Sequence, residues 1–272
     1  MRFNNEQNSL QETVPWRIVI AGDWHGNKHW AKKSVKIAHS IGADFILHVG
    51  DLGYNFENAS KDGYIFNKPL QKELDKYDIN LVWIDGNHDN HNWLRSLPKR
   101  EDGFVQTGSG GRVFWAPRGL RWTWGEVKFG ALGGAYSINF KYLTEGYSLF
   151  SDLEDVKEED LTILGKDKLD VLLTHEIAEG TPVKKLFNMS DEREIITAET
   201  RNKILRAVNN TRPEHVFSGH WHQRIDHTIN RNDGGVTYQH VLDKENKVGN
   251  LVAYDIFDNE IIDSIAYNES FR

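Results

Sequence analysis

Five short segments of this chain concentrate side chains that bind metals or move protons. They are Gly22-Asp23-Trp24-His25-Gly26, Gly50-Asp51-Leu52-Gly53, Gly86-Asn87-His88-Asp89, Thr174-His175-Glu176 and Gly219-His220-Trp221-His222. Asp23 and His25 lie two apart, as do His220 and His222. In an extended turn, residues i and i+2 point the same way, so each pair can grip one ion. Carboxylate, imidazole and amide oxygen together suit divalent Mn, Fe, Zn or Ni. The chain has no cysteine, so disulfides and thiolate ligands are excluded. Asp23, His25, Asp51, Asn87, His175, His220 and His222 are too many ligands for one catalytic zinc, and they suffice for two ions if one carboxylate bridges. Singly, an Asp or His after a strand is usually a turn residue or a cap. The weight rests on five segments, each directly after an expected strand.

Those strands are legible in the apolar pattern. Residues 17–21 (RIVIA), 45–49 (FILHV) and 81–84 (LVWI) are short β-branched or apolar runs stopped by turns. Between them, residues 28–41 place Trp30, Ser34, Ile37 and Ile41 on one face ahead of Gly42, which predicts an amphipathic helix, and residues 68–77 also read as helical. Alternating strand and helix predicts a parallel α/β sheet. The second half is richer in strands, at 113–116, 127–132, 171–174, 215–218, 236–242, 251–256 and 261–266, with a helix over 197–209. The acidic stretch 151–160 reads as a solvated loop or helix start. Residues 1–15 read as a polar N-terminal tail, and 16–272 as a single domain with no linker or repeat. In open α/β sheets, sites form where strands end and the chain turns.

Composition narrows the function. The chain has 272 residues, with 39% hydrophobic and 27% charged, as expected of a globular protein. No apolar run reaches the roughly 18 residues that a membrane span needs, and Met1 to Glu12 lacks the apolar core of a secretory signal, so the cytoplasm is the expected compartment. The net charge of −7 and the lack of a basic run argue against binding long nucleic acid. A local metal cluster can still make a positive pocket for one phosphate group. Nothing in the sequence sets the oligomeric state.

The order Asp-x-His, Gly-Asp, Gly-Asn-His-Asp, His, Gly-His-x-His resembles the calcineurin-like metallophosphoesterase superfamily, from about Arg17 to Ile225. The resemblance implies an α/β fold, a four-layer αββα sandwich of two mixed β-sheets flanked by helices. It implies that Asp23, His25 and His222 bind one metal, that Asn87, His175 and His220 bind the other, and that Asp51 bridges both. It implies that His88 sits beside the leaving group rather than on a metal. The stretch Ala131-Leu132-Gly133-Gly134-Ala135-Tyr136-Ser137 is also similar to a segment of small bacterial and phage members. Protein phosphatases of the superfamily extend the second motif to Gly-Asp-x-x-Asp-Arg-Gly. Here Tyr54 and Asn55 replace the aspartate and the phosphate-clamping arginine, which favours small phosphomonoesters, phosphodiesters or nucleotides as substrates.

The chemistry expected is hydrolysis by in-line attack of a hydroxide generated between two divalent ions, manganese being the first expectation. His88 would protonate or stabilise the leaving oxygen. Asp89 is read either as support for a neighbouring ligand or as a turn residue. Trp24 and Trp221, inside the motifs, are expected to wall the pocket. Arg95, Arg118 and Lys141 are candidates to meet the phosphate. His29, His39, His48, His91, His215, His227 and His240 read as surface or structural, with His91 favoured as a pocket residue. The same fold also serves scaffolds with degraded metal sites and nucleases, but all seven ligand positions here remain chemically competent.

Overall fold

The computed structural model describes residues 9–53, 64–108, 110–137, 144–145, 149–184 and 191–262. The chain opens with a 3₁₀ turn (Leu10–Glu12), followed by β1 (Arg17–Ala21), α1 (Lys28–Ser40), β2 (Phe45–His48), α2 (Tyr64–Tyr77), β3 (Asn80–Trp83), α3 (His91–Ser96), β4 (Val105–Gln106), β5 (Val113–Trp115), β6 (Arg121–Trp124) and β7 (Val127–Leu132). It continues with α4 (Glu158–Leu164), β8 (Val171–Thr174), α5 (Asp191–Thr211), β9 (His215–Ser218), β10 (Ile225–Asn230), β11 (Val236–Val241), β12 (Leu251–Asp255) and β13 (Glu260–Ile262). Among the described residues the strands form a seven-stranded sheet, ordered β13-β12-β1-β2-β3-β5-β4, and a six-stranded sheet, ordered β10-β11-β9-β8-β7-β6. The centres are parallel, β1-β2-β3-β5 in one sheet and β7-β8-β9-β11 in the other, and antiparallel strands flank both.

The period of two along each strand sorts the core into layers. Ile18, Ile20, Phe45, Leu47 and Val82 of the first sheet pack against Phe129, Ala131, Val171, Leu173 and Phe217 of the second. The alternate residues Val19, Ala21, Ile46, Leu81 and Trp83 face α1 and α2 through Trp30, Val35, Leu70 and Leu74. On the far side, Leu132, Leu172 and Val216 face α4 and α5 through Leu164, Ile204 and Val208. Strands buried on both faces read as unbroken apolar runs, which is why the sequence displays them. The expected four-layer αββα sandwich is what the chain adopts.

Several boundaries differ from the expectation. The helix read at 197–209 runs over Asp191–Thr211, and that at 68–77 begins at Tyr64. The last strand covers Glu260–Ile262, and the remainder of the expected 261–266 lies outside the described residues. The short strands β4, β6 and β10 and the helix α3 are additions to the expected set. The end of the polar tail is not a tail: Leu10 is buried, its N–H donates to Asp102 Oδ2 at 2.9 Å, and its carbonyl accepts from Trp124 Nε1 at 2.8 Å. Among the described residues, no helix is long and apolar enough to cross a membrane.

Candidate metal centre

Each motif begins where a parallel strand ends. Asp23 and His25 follow β1, Asp51 follows β2, Asn87 and His88 follow β3, His175 follows β8, and His220 and His222 follow β9. The first three strands belong to one sheet and the last two to the other, so the site lies where the carboxyl ends of both sheets meet. Asp51 faces two ways. Its Oδ2 lies 3.6 Å from His25 Nε2, and its Oδ1 lies 3.5 Å from His175 Nε2. Asp23 Oδ2 lies 3.1 Å from His222 Nε2 and 3.9 Å from His25 Nε2. Asn87 Oδ1 is 3.1 Å from His175 Nε2, and the His220 ring centroid is 5.1 Å from that of His175. Ligand atoms of Asp23, His25 and His222 all fall within 4.8 Å of one another, and so do those of Asp23, Asp51 and His175.

The donor set fits divalent cations. Asp23 Oδ2 is buried and accepts no hydrogen bond, although His222 Nε2 approaches to 3.1 Å. A buried carboxylate oxygen without a hydrogen-bond donor, facing an imidazole nitrogen, is costly unless a cation sits between them. Electrostatics point the same way. Burial opposes ionisation of Asp51, but the charges of His175 and His88 and hydrogen bonds from His175 and His25 hold it well below the usual carboxylate range. Burial likewise opposes the charged forms of His25 and His175, yet the surrounding carboxylates hold them at about 11 and about 10. Burial and the neighbouring His175 push His220 down to about 3.

The backbone is bent to make this cluster. His25, Asp51, His220 and His222 have φ of 44°, 54°, 65° and 51°, a region that non-glycine residues enter at a cost of about 1–3 kcal/mol each. Two glycines permit the approach of the loops. A Cβ on Gly86 would collide with Asp51 Oδ1, and one on Gly219 with Asp23 Oδ1.

A surrounding shell aims the ligands. His175 Nδ1 donates to the Val49 carbonyl at 2.7 Å, which leaves Nε2 toward the carboxylates. Asn87 Nδ2 donates to Ser137 Oγ at 3.0 Å, and Ser137 Oγ donates to Glu154 Oε2 at 3.1 Å, so the Asn87 oxygen must face the site. Asp89 resolves in favour of support. Its carboxylate accepts from the N–H groups of Gly86 at 2.7 Å, Asp51 at 2.9 Å and Gly53 at 3.2 Å, tying the loop after β3 to the loop after β2. Burial, then the charge of Asp51, raises Asp89 to about 7. Glu176 accepts from Trp221 Nε1 at 2.7 Å, with its other oxygen 3.8 Å from His220 Nε2, and burial raises it to about 7.

The sequence profile of the calcineurin-like phosphoesterase family matches residues 17–224. The chain belongs to that family. Two solved structures share the fold of this calcineurin-like phosphoesterase. The TT1561 protein of Thermus thermophilus is 16% identical, with 92% of this chain and 98% of that one covered and a TM-score of 0.54. A dimetal phosphatase from Danio rerio is 12% identical, with 90% and 93% covered and a TM-score of 0.56. No curated protein matches the chain in sequence.

Some expected roles fail. Trp24 is fully buried against Trp30 and His48, with Nε1 on Asn250 Oδ1, so it walls no pocket. Trp221 is not among them: it is half-buried, its ring 6.1 Å from that of His220, with its indole N–H committed to Glu176. Arg118 is buried, donating to Asp85 Oδ2 at 2.8 Å and to the carbonyls of Leu153, Glu154 and Asp155, so it does not meet a phosphate. Arg95 is held by His91 Nδ1 at 3.3 Å and the Leu153 carbonyl at 3.2 Å. His91 is buried beside Asp85 rather than lining a pocket. Tyr54, Asn55 and Lys141 lie outside the described residues.

Proposed function

We propose that this calcineurin-like phosphoesterase is a dinuclear metal-dependent hydrolase of small phosphodiesters and phosphomonoesters, nucleotides included. The two-way orientation of the Asp51 carboxylate, toward His25 at 3.6 Å and His175 at 3.5 Å, carries the reading. In it, Asp23, His25 and His222 hold one ion, Asn87, His175 and His220 hold the other, and Asp51 touches both. Carboxylate and amide oxygens suit manganese and the imidazoles suit iron, zinc or nickel, so the mixed set admits any of the four, with manganese our first choice. When bound, such a pair supplies the Lewis acidity that activates water and neutralises charge on phosphate oxygens.

The chain's own residues do the rest. His88 is half-buried, and its backbone N–H donates to Asp51 Oδ1 at 2.9 Å, which fixes the residue beside the centre. Its ring lies 6.5 Å from that of His25, close enough to hold a proton for the leaving oxygen. Arg118 is already committed elsewhere, and Asn55 stands where protein phosphatases carry an arginine. A dianionic monoester loses more than a monoanionic diester when a guanidinium clamp is missing. Diesters should therefore be cleaved at least as well as monoesters, with phosphoproteins poor substrates.

The test is a comparison of kcat/KM for bis-p-nitrophenyl phosphate, p-nitrophenyl phosphate, a cyclic nucleotide and a phosphoserine peptide, before and after chelation and with Mn, Fe, Zn or Ni restored. Activity lost on chelation and regained with metal is expected. Full activity in protein shown by elemental analysis to hold no metal overturns the dinuclear reading, and a preference for the phosphopeptide overturns the substrate class.

A further inference from the structure

The family match ends at residue 224, yet the chain beyond it reaches back into the centre. The loop between β11 and β12 packs on the Gly22-Asp23 turn. Gly22 N–H donates to the Asn250 carbonyl at 2.8 Å, and Asn250 Nδ2 donates to the Asp243 carbonyl at 2.6 Å and the Asp23 carbonyl at 3.3 Å. Asn250 Oδ1 accepts from both Trp24 Nε1 at 3.2 Å and Trp30 Nε1 at 2.6 Å. On this pinned loop, Glu245 places Oε2 2.9 Å from His25 Nδ1.

A carboxylate only accepts hydrogen bonds, so Nδ1 must carry the proton and Nε2 is the atom aimed at Asp51 and Asp23. A carboxylate behind an imidazole fixes its orientation and makes it a stronger donor to a metal. Among the described residues, His25 is the ligand imidazole with a hydrogen bond to a carboxylate outside the ligand cluster. His175 leans on a neutral carbonyl, and His220 Nε2 is 3.8 Å from Glu176, beyond hydrogen-bonding distance. His222 Nε2 meets Asp23, itself a member of the ligand cluster.

We propose that Glu245 is a positioning residue supplied from outside the family-matched segment, and that it strengthens the metal position formed by Asp23, His25 and His222 over the one formed by Asn87, His175 and His220. This rests on the dinuclear reading above. The two positions would then fill in sequence rather than together.

The test is titration of the full chain, stripped of metal, with Mn²⁺, followed by calorimetry and by the electron paramagnetic resonance of free Mn²⁺. Wild type should take two ions with unequal affinities. Glu245→Ala should weaken the tighter ion by ~10–100-fold and leave the other within about threefold. Glu245→Gln, which keeps an acceptor without the charge, should fall between. Glu245 is on a loop with its side chain partly exposed, so both variants should match wild type in thermal unfolding without metal. Unchanged affinities in Glu245→Ala, or equal weakening of both ions, overturn the proposal while leaving the dinuclear reading intact. A wild type that binds none of Mn²⁺, Fe²⁺, Zn²⁺ or Ni²⁺ overturns the dinuclear reading, and the proposal with it.

Discussion

Replacing Asp89 tests whether the loops that carry Asp51 and Asn87 are held together by one carboxylate. Asp89→Ala would leave three backbone N–H groups, of Gly86, Asp51 and Gly53, without an acceptor. The first two are the short bonds and are fully buried, so no water replaces the lost oxygen. An orphaned buried donor costs about 1–3 kcal/mol, so the pair should cost about 2–6 kcal/mol. Asp89→Asn keeps one oxygen for Gly86 and Asp51 and sacrifices the longer bond to Gly53, which should cost about 1 kcal/mol. Guanidinium unfolding of the two variants, extrapolated linearly to water, reads this difference directly. A domain of ordinary stability, about 5–15 kcal/mol, tolerates the Asn variant. In that variant Mn²⁺ affinity should stay within about threefold of wild type, because Asp51 keeps its bond, whereas in Asp89→Ala it should drop by about tenfold. Equal destabilisation by Ala and Asn, or a cost for Ala below about 1 kcal/mol, would refute the reasoning.

Three further outcomes follow from other parts of the site and fold. His88→Ala should keep its metal content while kcat falls by roughly 10²–10⁴-fold, and the loss should shrink for p-nitrophenyl esters; an equal loss for good and poor leaving groups would mean that His88 positions the phosphate instead. Gly219→Ala places a methyl against Asp23 Oδ1, so metal binding should fail in elemental analysis while far-UV circular dichroism stays native. His240, bonded to Asp226 Oδ1 at 2.7 Å and to His215 Nδ1 at 3.1 Å, is pushed by burial from 6.5 to about 4. The folded state therefore binds fewer protons than the unfolded state in that window, so this contribution to stability is full above pH 6.5 and is lost as pH falls toward 4. His240→Gln should flatten the slope of unfolding free energy against pH between those limits, and an unchanged slope would assign the slope to other groups.

The strands buried on both faces are legible in the sequence, because β1, β2, β3 and β8 are built on runs of three or four apolar residues and β9 on the Val216-Phe217 pair, and the residues after them carry the motifs. The strand β10 is not, since its inward positions Ile225, His227 and Ile229 alternate with exposed Asp226, Thr228 and Asn230, but a histidine in the middle of the inward face breaks the apolar signature. The strand β6 is hidden because Trp122 and Trp124 read as isolated aromatics rather than as the inward half of an alternating strand. The ligand-aiming residues are invisible for another reason. Glu245 and Asn250 act on residues more than two hundred positions away, and Ser137 acts on Asn87 fifty positions away, with no local spacing to mark them. Trp24 misleads because its neighbours Asp23 and His25 face the site, while Trp24 itself turns inward under Trp30.

The junction of the two sheets has a mechanical meaning. Under the proposed assignment, each ion has feet on both leaves: Asp23 and His25 stand on the first with His222 on the second, and Asn87 stands on the first with His175 and His220 on the second. A slip of one leaf over the other by an ångström would pull both sets of feet apart at once. The layer of Phe45, Leu47, Phe129, Leu173 and Phe217 between the leaves is what resists such a slip. Interior side chains with no contact to any ligand thereby set the grip on the ions, and a void opened among them would register first as loosened metal.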